Sequence, residues 1–174
     1  MQQEKQFTQS EVGEIVDRMA RTLATLYHCM ASEVVAEFGA AGEAAVRRAI
    51  LKYGETRGKK VRQEVLSKGL PLNVANLSRF YDLPLPLAWR SDRIRTEDNY
   101  AEKQVTYCPF AKEWKRLNGE KLGLIYCEQD HAMRAAYNPE LELQQFTNVL
   151  NGDPHCHTVL QLRTAPAGAK SKAK

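Results

Sequence analysis

The chain has 174 residues, 43% of them hydrophobic, which is enough for one good core and too few for two large ones. We therefore expect a single domain over residues 1–165. The formal net charge is +4, but Lys170, Lys172 and Lys174 supply three of these charges, so the rest of the chain is nearly neutral. This distribution argues against nucleic-acid binding. Residues 166–174 are expected to form a flexible basic tail.

No apolar run approaches the roughly 18 residues of a membrane span. The amino terminus has neither the basic start nor the apolar region of a secretory signal. We expect a cytoplasmic protein without a membrane partner. Cysteines are normally reduced there, so the four cysteines are interpreted as packed, catalytic or metal-binding rather than as a disulfide framework. They are Cys29, Cys108, Cys127 and Cys156.

Two long helices are predicted in the first 68 residues. Thr8 and Glu11 have the spacing of a capping box, and the apolar residues that follow recur with a helical period until about Gly39. A second amphipathic helix follows from Gly42 and ends at Lys68, before Gly69 and a proline. Together the two helices predict a long helical hairpin.

Two glycines, Gly54 and Gly58, interrupt the second predicted helix one turn apart and therefore lie on the same face. A glycine inside a helix costs roughly 1 kcal/mol relative to alanine. We therefore expect another backbone to approach this face closely, either the partner helix or a second subunit. Because a small sheet would not cover so apolar a hairpin, a homo-oligomer is also expected.

The remainder of the chain predicts a small antiparallel sheet with helices packed against it. A short helix comes first and is followed by a proline-rich extended connector, residues 82–89. The connector is expected either to cover a sheet edge or to form a pocket wall. Alternating patterns then predict four strands, and helical stretches lie between the second and third. The strands are 90–96, 101–107, 141–149 and 156–163, and the helices are 73–81, 109–117 and 124–137. The predicted fold class is α+β.

The candidate site residues lie in the carboxyl-terminal half. Cys108 directly precedes Pro109, so it is a candidate helix N-cap, where the helix dipole favours the thiolate. Cys127, Asp130 and His131 have the spacing of one helix face. A thiol, a carboxylate and an imidazole on one face suit nucleophile and base chemistry or metal ligation.

Cys156 lies in a predicted strand, so its neighbours His155 and His157 point to the opposite face of the sheet. A metal site that uses Cys156 together with these histidines is therefore hard to build. Asp153, in a Gly-Asp-Pro sequence, has the properties of a turn former.

The order and spacing of these residues resemble the L-2-amino-thiazoline-4-carboxylic acid hydrolase family. Residues 38–58 also resemble the helical half of that family, while His131, His155 and His157 lie outside its pattern. The matching residues are Cys108-Pro109, Tyr126-Cys127, Asp130, Asn138-Pro139, Gly152-Asp153 and Cys156.

The resemblance implies a hydrolase that acts on a C–N bond of a small cyclic amidine or amide, such as a 2-amino-thiazoline-4-carboxylate-like heterocycle. The nucleophile would be Cys108, with Cys127 or Cys156 as alternatives. Asp130 or Asp153 would hold the amidine nitrogens or shuttle protons. The substrate-binding residues would be Tyr126, Asn138 and Asp153, and no cofactor is expected.

Two other functions use the same residues. Cys108, Cys127 and Cys156, with Asp130 or a water molecule, would hold a zinc ion that activates water, although the paired C-x-x-C signature of common zinc sites is missing. The third hypothesis is a non-enzymatic sensor in which the cluster lines a small-molecule pocket, because fold does not dictate function.

Overall fold

The computed structural model describes residues 6–163, and the tail expected over 166–174 lies outside them. The first helix, α1 (Gln9–Ser67), begins with the predicted capping box of Thr8 and Glu11. At Gly39 the backbone turns into the left-handed region (φ 56°), which divides α1 into a first arm (9–38) and a second arm (40–67). A Cβ at Gly42 would overlap the carbonyl oxygen of Val34. A straight helix would separate these residues by about 12 Å, so the chain doubles back and the predicted hairpin is confirmed.

The rest of the chain forms a four-stranded sheet and five further helices within the described residues. All strand pairs are antiparallel, in the order β1-β2-β4-β3. The elements are α2 (Val74–Arg79), α3 (Leu85–Ala88), β1 (Arg90–Glu97), β2 (Tyr100–Tyr107), α4 (Pro109–Arg116), α5 (Glu120–Cys127), α6 (Gln129–Tyr137), β3 (Leu141–Thr147) and β4 (Cys156–Leu162), with a 3₁₀ turn (Val149–Asn151) between the last two strands. The predicted α+β class is confirmed.

The helix predicted over 124–137 is two helices in the structure. It begins earlier, at Glu120, and breaks at Glu128. There the N–H of Glu128 donates to the carbonyl oxygen of Ile125, and the N–H of His131 donates to the carbonyl oxygen of Glu128, at 3.2 Å each. These i to i−3 hydrogen bonds tighten the turn. The periodicity of side chains alone does not reveal such a break.

The backbone conformation of the proline-rich connector also differs from the prediction. It was expected to be extended, but residues Leu85–Ala88 form one helical turn, α3. Proline is tolerated in a first helical turn because its missing N–H would have no partner there. Of the two roles expected for the connector, the structure favours the pocket wall, since Leu83, Leu85 and Trp89 line the cavity described below.

Gly54 and Gly58 allow α6 to pack directly on the second arm. A Cβ at Gly58 would overlap the carbonyl oxygen of Met133 and lie 2.9 Å from the Cβ of Ala136. Gly54 lies equally close to the start of α6, where a Cβ would overlap the carbonyl oxygen of Gln129. The close backbone that the glycines predict is therefore present, but it belongs to α6 and not to the partner helix of the hairpin or to a second subunit, so both expected sources are wrong. The helix face that carries Gly54 and Gly58 therefore gives no support to the expected homo-oligomer.

Glu113 on α4 ties the first arm to the helices behind it. Its side chain is 5% exposed and accepts hydrogen bonds from Arg21 Nε at 2.9 Å, Thr25 Oγ1 at 3.0 Å and Arg116 Nε at 3.0 Å. The hydrogen bonds from Arg116, with those from Arg21 and Thr25, lower the pKa of Glu113 to about 2, against the opposing effect of burial.

We expect Glu113 to make stability depend on acid pH. Its folded-state pKa is depressed, so its contribution is fully present above its ordinary value of 4.5 and is lost as pH falls towards 2. The contribution is on the order of 3 kcal/mol at neutral pH. The free energy of unfolding in urea should differ between the wild type and Glu113→Gln, and this difference should shrink as the pH is lowered from about 5 to about 2.5, the range over which Glu113 titrates. A difference independent of pH would contradict this role.

Candidate functional site

A cavity of about 180 Å³ lies between one face of the sheet and the helices. The strands contribute every second residue to it, as expected for one face of a pleated sheet. From the two central strands these residues are Ala101, Lys103, Val105, Cys156, Thr158 and Leu160. The opposite wall comes from α2, the connector and helices α4 to α6.

Five of the residues predicted from the sequence line this cavity. Cys108 lies between β2 and α4, Tyr126 and Cys127 end α5, Asp130 belongs to the first turn of α6, and Cys156 begins β4. The predicted α4 N-cap at Cys108 is present, although its thiol makes no capping hydrogen bond. The structure therefore brings these side chains together, while their roles in catalysis stay predictions.

The other two predicted substrate-binding residues, Asn138 and Asp153, lie outside the lining of the cavity. Asn138 Nδ2 donates to the carbonyl oxygen of Leu72 at 2.8 Å, and its Oδ1 accepts from the N–H of Glu140. Asp153 Oδ2 accepts from the N–H of Asn148 at 2.7 Å. Both side chains hold loops in place, as turn-forming residues commonly do.

The histidines lie away from the cavity lining. His157 Nε2 is 2.9 Å from Glu102 Oε1, on the face of the sheet opposite Lys103. His131 lines a separate surface groove with Glu128 and Phe146. Cys127 lines both the groove and the cavity, so its side chain lies between the two.

Burial raises the pKa of the Cys108 thiol to about 11. The nearby N–H groups of Ala111 and the Trp89 indole act in the opposite direction but do not offset burial. The sequence predicts a thiolate at this helix start, and in this respect the prediction is wrong. Loss of hydration disfavours the charged form more than the helix end favours it.

The other two cavity thiols are protonated for the same reason. Burial raises the pKa of Cys127 well above its ordinary value, and the negative charge of Asp130 raises it further. Burial also raises the pKa of Cys156, whose Sγ accepts a hydrogen bond from the N–H of Val149 at 3.4 Å. At neutral pH the cavity therefore holds three thiols and no thiolate.

Asp130 is the anion of the cavity. Arg134 Nη1 donates to its Oδ1 at 2.7 Å, and the Tyr81 hydroxyl donates to the same oxygen at 3.3 Å. Burial would raise the pKa of Asp130, but the charges of Arg134 and Arg57 hold it below its ordinary value. The side chain is 35% exposed and lines the cavity, so the carboxylate is available to a ligand.

Two cations line the cavity beside this carboxylate. Arg134 pairs with Asp130 but has a buried Nε without a hydrogen-bond partner within the described residues. Lys103 has its pKa lowered, first by burial and then by the charge of Arg134. With one anion and two cations, the lining carries an excess positive charge whenever Lys103 is protonated.

A buried arginine fixes the wall behind Asp130. Arg57, on the second arm, forms two hydrogen bonds with the carboxylate of Asp82 and donates from Nη1 to Gln129 Oε1 at 2.6 Å. Its guanidinium also lies over the rings of Tyr53 and Tyr81, 5.4 and 5.3 Å from their centroids. Arg57 therefore connects the second arm, the connector and the start of α6.

Sequence reasoning did not identify Lys103, Arg134 or Arg57 as site residues. Two signals were available: Lys103 is a charged residue between Ala101 and Val105 on the inward face of β2, and Arg134 follows Asp130 at i+4. For Arg57, no local signal predicts a pairing with a carboxylate 25 residues later.

The proposed zinc site does not form. Within residues 6–163, no three His, Cys, Asp or Glu side chains are arranged to hold a metal ion. The three cavity cysteines and Asp130 line the same cavity but do not form such a group. They therefore do not provide the tetrahedral ligand set that zinc requires.

Comparison with known families agrees with the resemblance seen in the sequence. The model of the L-2-amino-thiazoline-4-carboxylic acid hydrolase family matches residues 17–160. The chain belongs to this family. Its name denotes a hydrolase that degrades a heterocycle. The matched range contains residues 17–38 of the first arm, the whole second arm and all the cavity-lining residues. No curated protein matches the sequence significantly.

Solved structures of other proteins share the fold of this family member. One is trafficking protein particle complex subunit 3 from Naegleria fowleri, covalently bound to palmitic acid, with 13% identity and a TM-score of 0.51 over 83% of this chain and 95% of that chain. Another is the phenol-responsive sensory domain of the transcription activator PoxR with phenol, with 11% identity and a TM-score of 0.51 over 82% of this chain and 74% of that chain. At these identities the similarity concerns the fold alone.

No helix within residues 6–163 has both the length and the apolar character needed to cross a membrane.

Proposed function

We propose that this family member hydrolyses a small cyclic amidine or amide in the cavity, with 2-amino-thiazoline-4-carboxylate as the reference substrate. The observation that carries the proposal is the convergence of Cys108, Cys127, Cys156 and Asp130, from four parts of the chain, on one cavity. Family membership supports the same chemistry.

The size of the cavity supports a substrate with a single small ring. In another protein, an engineered cavity of about 150 Å³ binds benzene. A cavity of about 180 Å³ therefore accommodates one ring with a few substituents. Its sheet and helix walls combine apolar side chains with a few polar groups, as ligand sites commonly do.

The charges of the cavity suit a substrate that carries charges of both signs. A protonated amidine would bind the Asp130 carboxylate, which stays ionised beside Arg134. A ring carboxylate would bind Lys103, with the free Nε of Arg134 as a further donor. Charge-assisted hydrogen bonds of this kind are about twice as strong as neutral ones, so they would fix the orientation of the ring.

Binding of a cationic amidine would also explain how a buried, protonated thiol becomes a reactive thiolate. The pKa of Cys108 is raised because burial disfavours its thiolate. A cation within about 4 to 6 Å favours the ionised form of a neighbouring group. The substrate would therefore lower the pKa of the thiol that attacks it.

The reaction then balances with one water molecule. Cys108 Sγ forms a bond to the amidine carbon, the bond from that carbon to a ring heteroatom breaks, and the heteroatom takes the thiol proton. Water next attacks the same carbon and forms a C–O bond, and the C–S bond to the enzyme breaks. The thiol recovers its proton from that water. The covalent intermediate divides one difficult step into two easier ones.

Serine substitutions test the nucleophile. We expect Cys108→Ser to lower kcat for ring opening by at least about a hundredfold, since a serine hydroxyl is a much weaker nucleophile. The matched control is Cys29→Ser, because Cys29 is exposed on the first arm. Ring opening of 2-amino-thiazoline-4-carboxylate is followed by chromatography of the product, and circular dichroism checks that each variant is folded.

Cys127→Ser and Cys156→Ser separate the alternatives. If one of them loses turnover and Cys108→Ser does not, the nucleophile is that other cysteine. If all three single variants and the triple variant keep wild-type kcat while folded, the cysteine mechanism is wrong.

A second candidate function is ligand binding without turnover. The protonated state of all three cavity thiols favours it, and the PoxR domain, which shares the fold, is a sensory domain solved with phenol. Calorimetry with the reference heterocycle and with phenol, alongside the turnover assay, distinguishes the two. Binding of either compound with no detectable product supports the sensor and contradicts the hydrolase.

A further inference from the structure

The outer face of the first arm carries a continuous row of exposed large apolar side chains. Its members, the outer stripe, recur at intervals of three and four residues and therefore lie along one side of the helix. They are Ile15 (37% exposed), Met19 (63%), Leu23 (56%), Leu26 (55%) and Met30 (64%). Soluble monomers rarely expose contiguous apolar patches larger than a few hundred Å², and larger ones mark interaction sites.

The inner face of the same arm has the opposite character. The residues that it buries against the rest of the protein are small, namely Ala20, Ala24 and Ala31. A helix that packs on only one core places its large apolar residues inward. Tyr27, Val34 and Val35 are larger and pack partly against the core, but the five residues of the outer stripe point outward, so the first arm has a second apolar face to cover.

The outer stripe has the spacing of a coiled-coil seam. Met19, Leu23, Leu26 and Met30 follow one another at four, three and four residues, which matches alternating a and d positions of a heptad. We propose that the outer stripe is a homodimer interface, in which the first arm packs antiparallel against the first arm of a second copy.

The stripe is complementary to itself when it is reversed. A two-fold axis between Leu23 and Leu26 places each of these residues opposite the other in the partner, and likewise Met19 opposite the partner's Met30. An isologous interface requires this type of symmetry. The stripe runs from Ile15 to Met30, about 23 Å along the helix, so the two stripes would form one continuous apolar seam.

Charge also favours the antiparallel arrangement. Arg18 lies near one end of the stripe and Glu33 near the other, and both are exposed. Neither forms an ion pair with another side chain in the part of the chain that the structure describes. In the antiparallel dimer Arg18 comes within one helical turn of the partner's Glu33, whereas a parallel dimer would place like charges together.

Charge substitutions in the stripe test the interface. We expect wild-type protein to sediment as a dimer, and Leu23→Glu and Leu26→Glu to sediment as monomers, because each would bury two carboxylates in an apolar seam. The matched control is Leu66→Glu, since Leu66 is 51% exposed near the end of the second arm, and this variant should stay dimeric. Circular dichroism checks that the variants keep their helices.

Cross-linking tests whether the two first arms pack antiparallel, and this test does not require a variant that dissociates into monomers. In the antiparallel dimer, residue 22 of one copy comes within about 3 Å along the axis of the level of the partner's Cys29. Thr22→Cys should therefore form a cross-linked dimer with a short bismaleimide, while wild type, with Cys29 as its exposed thiol among the described residues, should not. The proposal is overturned if the wild-type protein sediments as a monomer. It is also overturned if Leu23→Glu and Leu26→Glu both remain dimeric. Efficient cross-linking of wild type through Cys29 would show a parallel pairing instead.

Discussion

Arg57→Met should destabilise the protein by about 3 to 5 kcal/mol, the cost of removing one partner from a buried ion pair. Methionine keeps much of the length and apolar contact of the arginine but leaves Asp82 and Gln129 without their donor. Arg57 is 5% exposed, so water does not replace it. Urea unfolding measures the loss. Arg48→Met is the matched control, because Arg48 is exposed on the same arm and should change stability by less than about 0.5 kcal/mol.

A second substitution separates the ion pair from packing. If Arg57→Met is destabilising because Asp82 is left charged and unpaired, the double variant Arg57→Met/Asp82→Asn should recover part of the loss. This account would be contradicted if the two substitutions were additive, that is, if Asp82→Asn destabilised the Arg57→Met variant as much as it destabilises the wild type. The loss would then come from packing between Tyr53 and Tyr81.

Under the proposed function, Asp130→Asn should lower kcat/KM for the cyclic amidine by about two to three orders of magnitude, as expected when the charge partner of the substrate is removed. The matched control is Asp153→Asn, since Asp153 was an equal candidate for this role in the sequence but lies outside the cavity lining. Steady-state turnover measures both variants, and Asp153→Asn should stay within a few-fold of wild type.

Asp130→Asn also leaves Arg134 buried without its partner, so a loss of activity in that variant alone has two explanations. The double variant Asp130→Asn/Arg134→Met removes the unpaired charge and should regain stability without regaining turnover. Recovery of both stability and turnover would show that Asp130 acts only by holding Arg134, and the amidine-binding role would be wrong.

The sequence was sufficient for those parts of the fold that depend on local patterns. The capping box at Thr8, the break at Gly39 and the four strands follow from turn chemistry and periodicity, and the structure contains all of them. The close backbone contact of Gly54 and Gly58 was also predictable, because glycines within a helix are costly without such a contact. Which backbone makes that contact depends on the path of the whole chain.

The candidate site was less accessible to sequence reasoning. The position of Cys108 at a helix start was correct, but the pKa of its thiol depends on how completely other elements exclude water. The pairing of Arg57 with Asp82 depends on the docking of the connector against the second arm. Both are properties of tertiary packing, which periodicity and spacing do not encode.

The high pKa values of the three cavity thiols have a consequence for oxidation. Peroxides react with thiolates far faster than with thiols. Because burial keeps them protonated, Cys108, Cys127 and Cys156 are protected from this reaction. A nucleophile that ionises only beside its cationic substrate would stay latent between turnovers and would survive oxidants that readily modify activated cysteines.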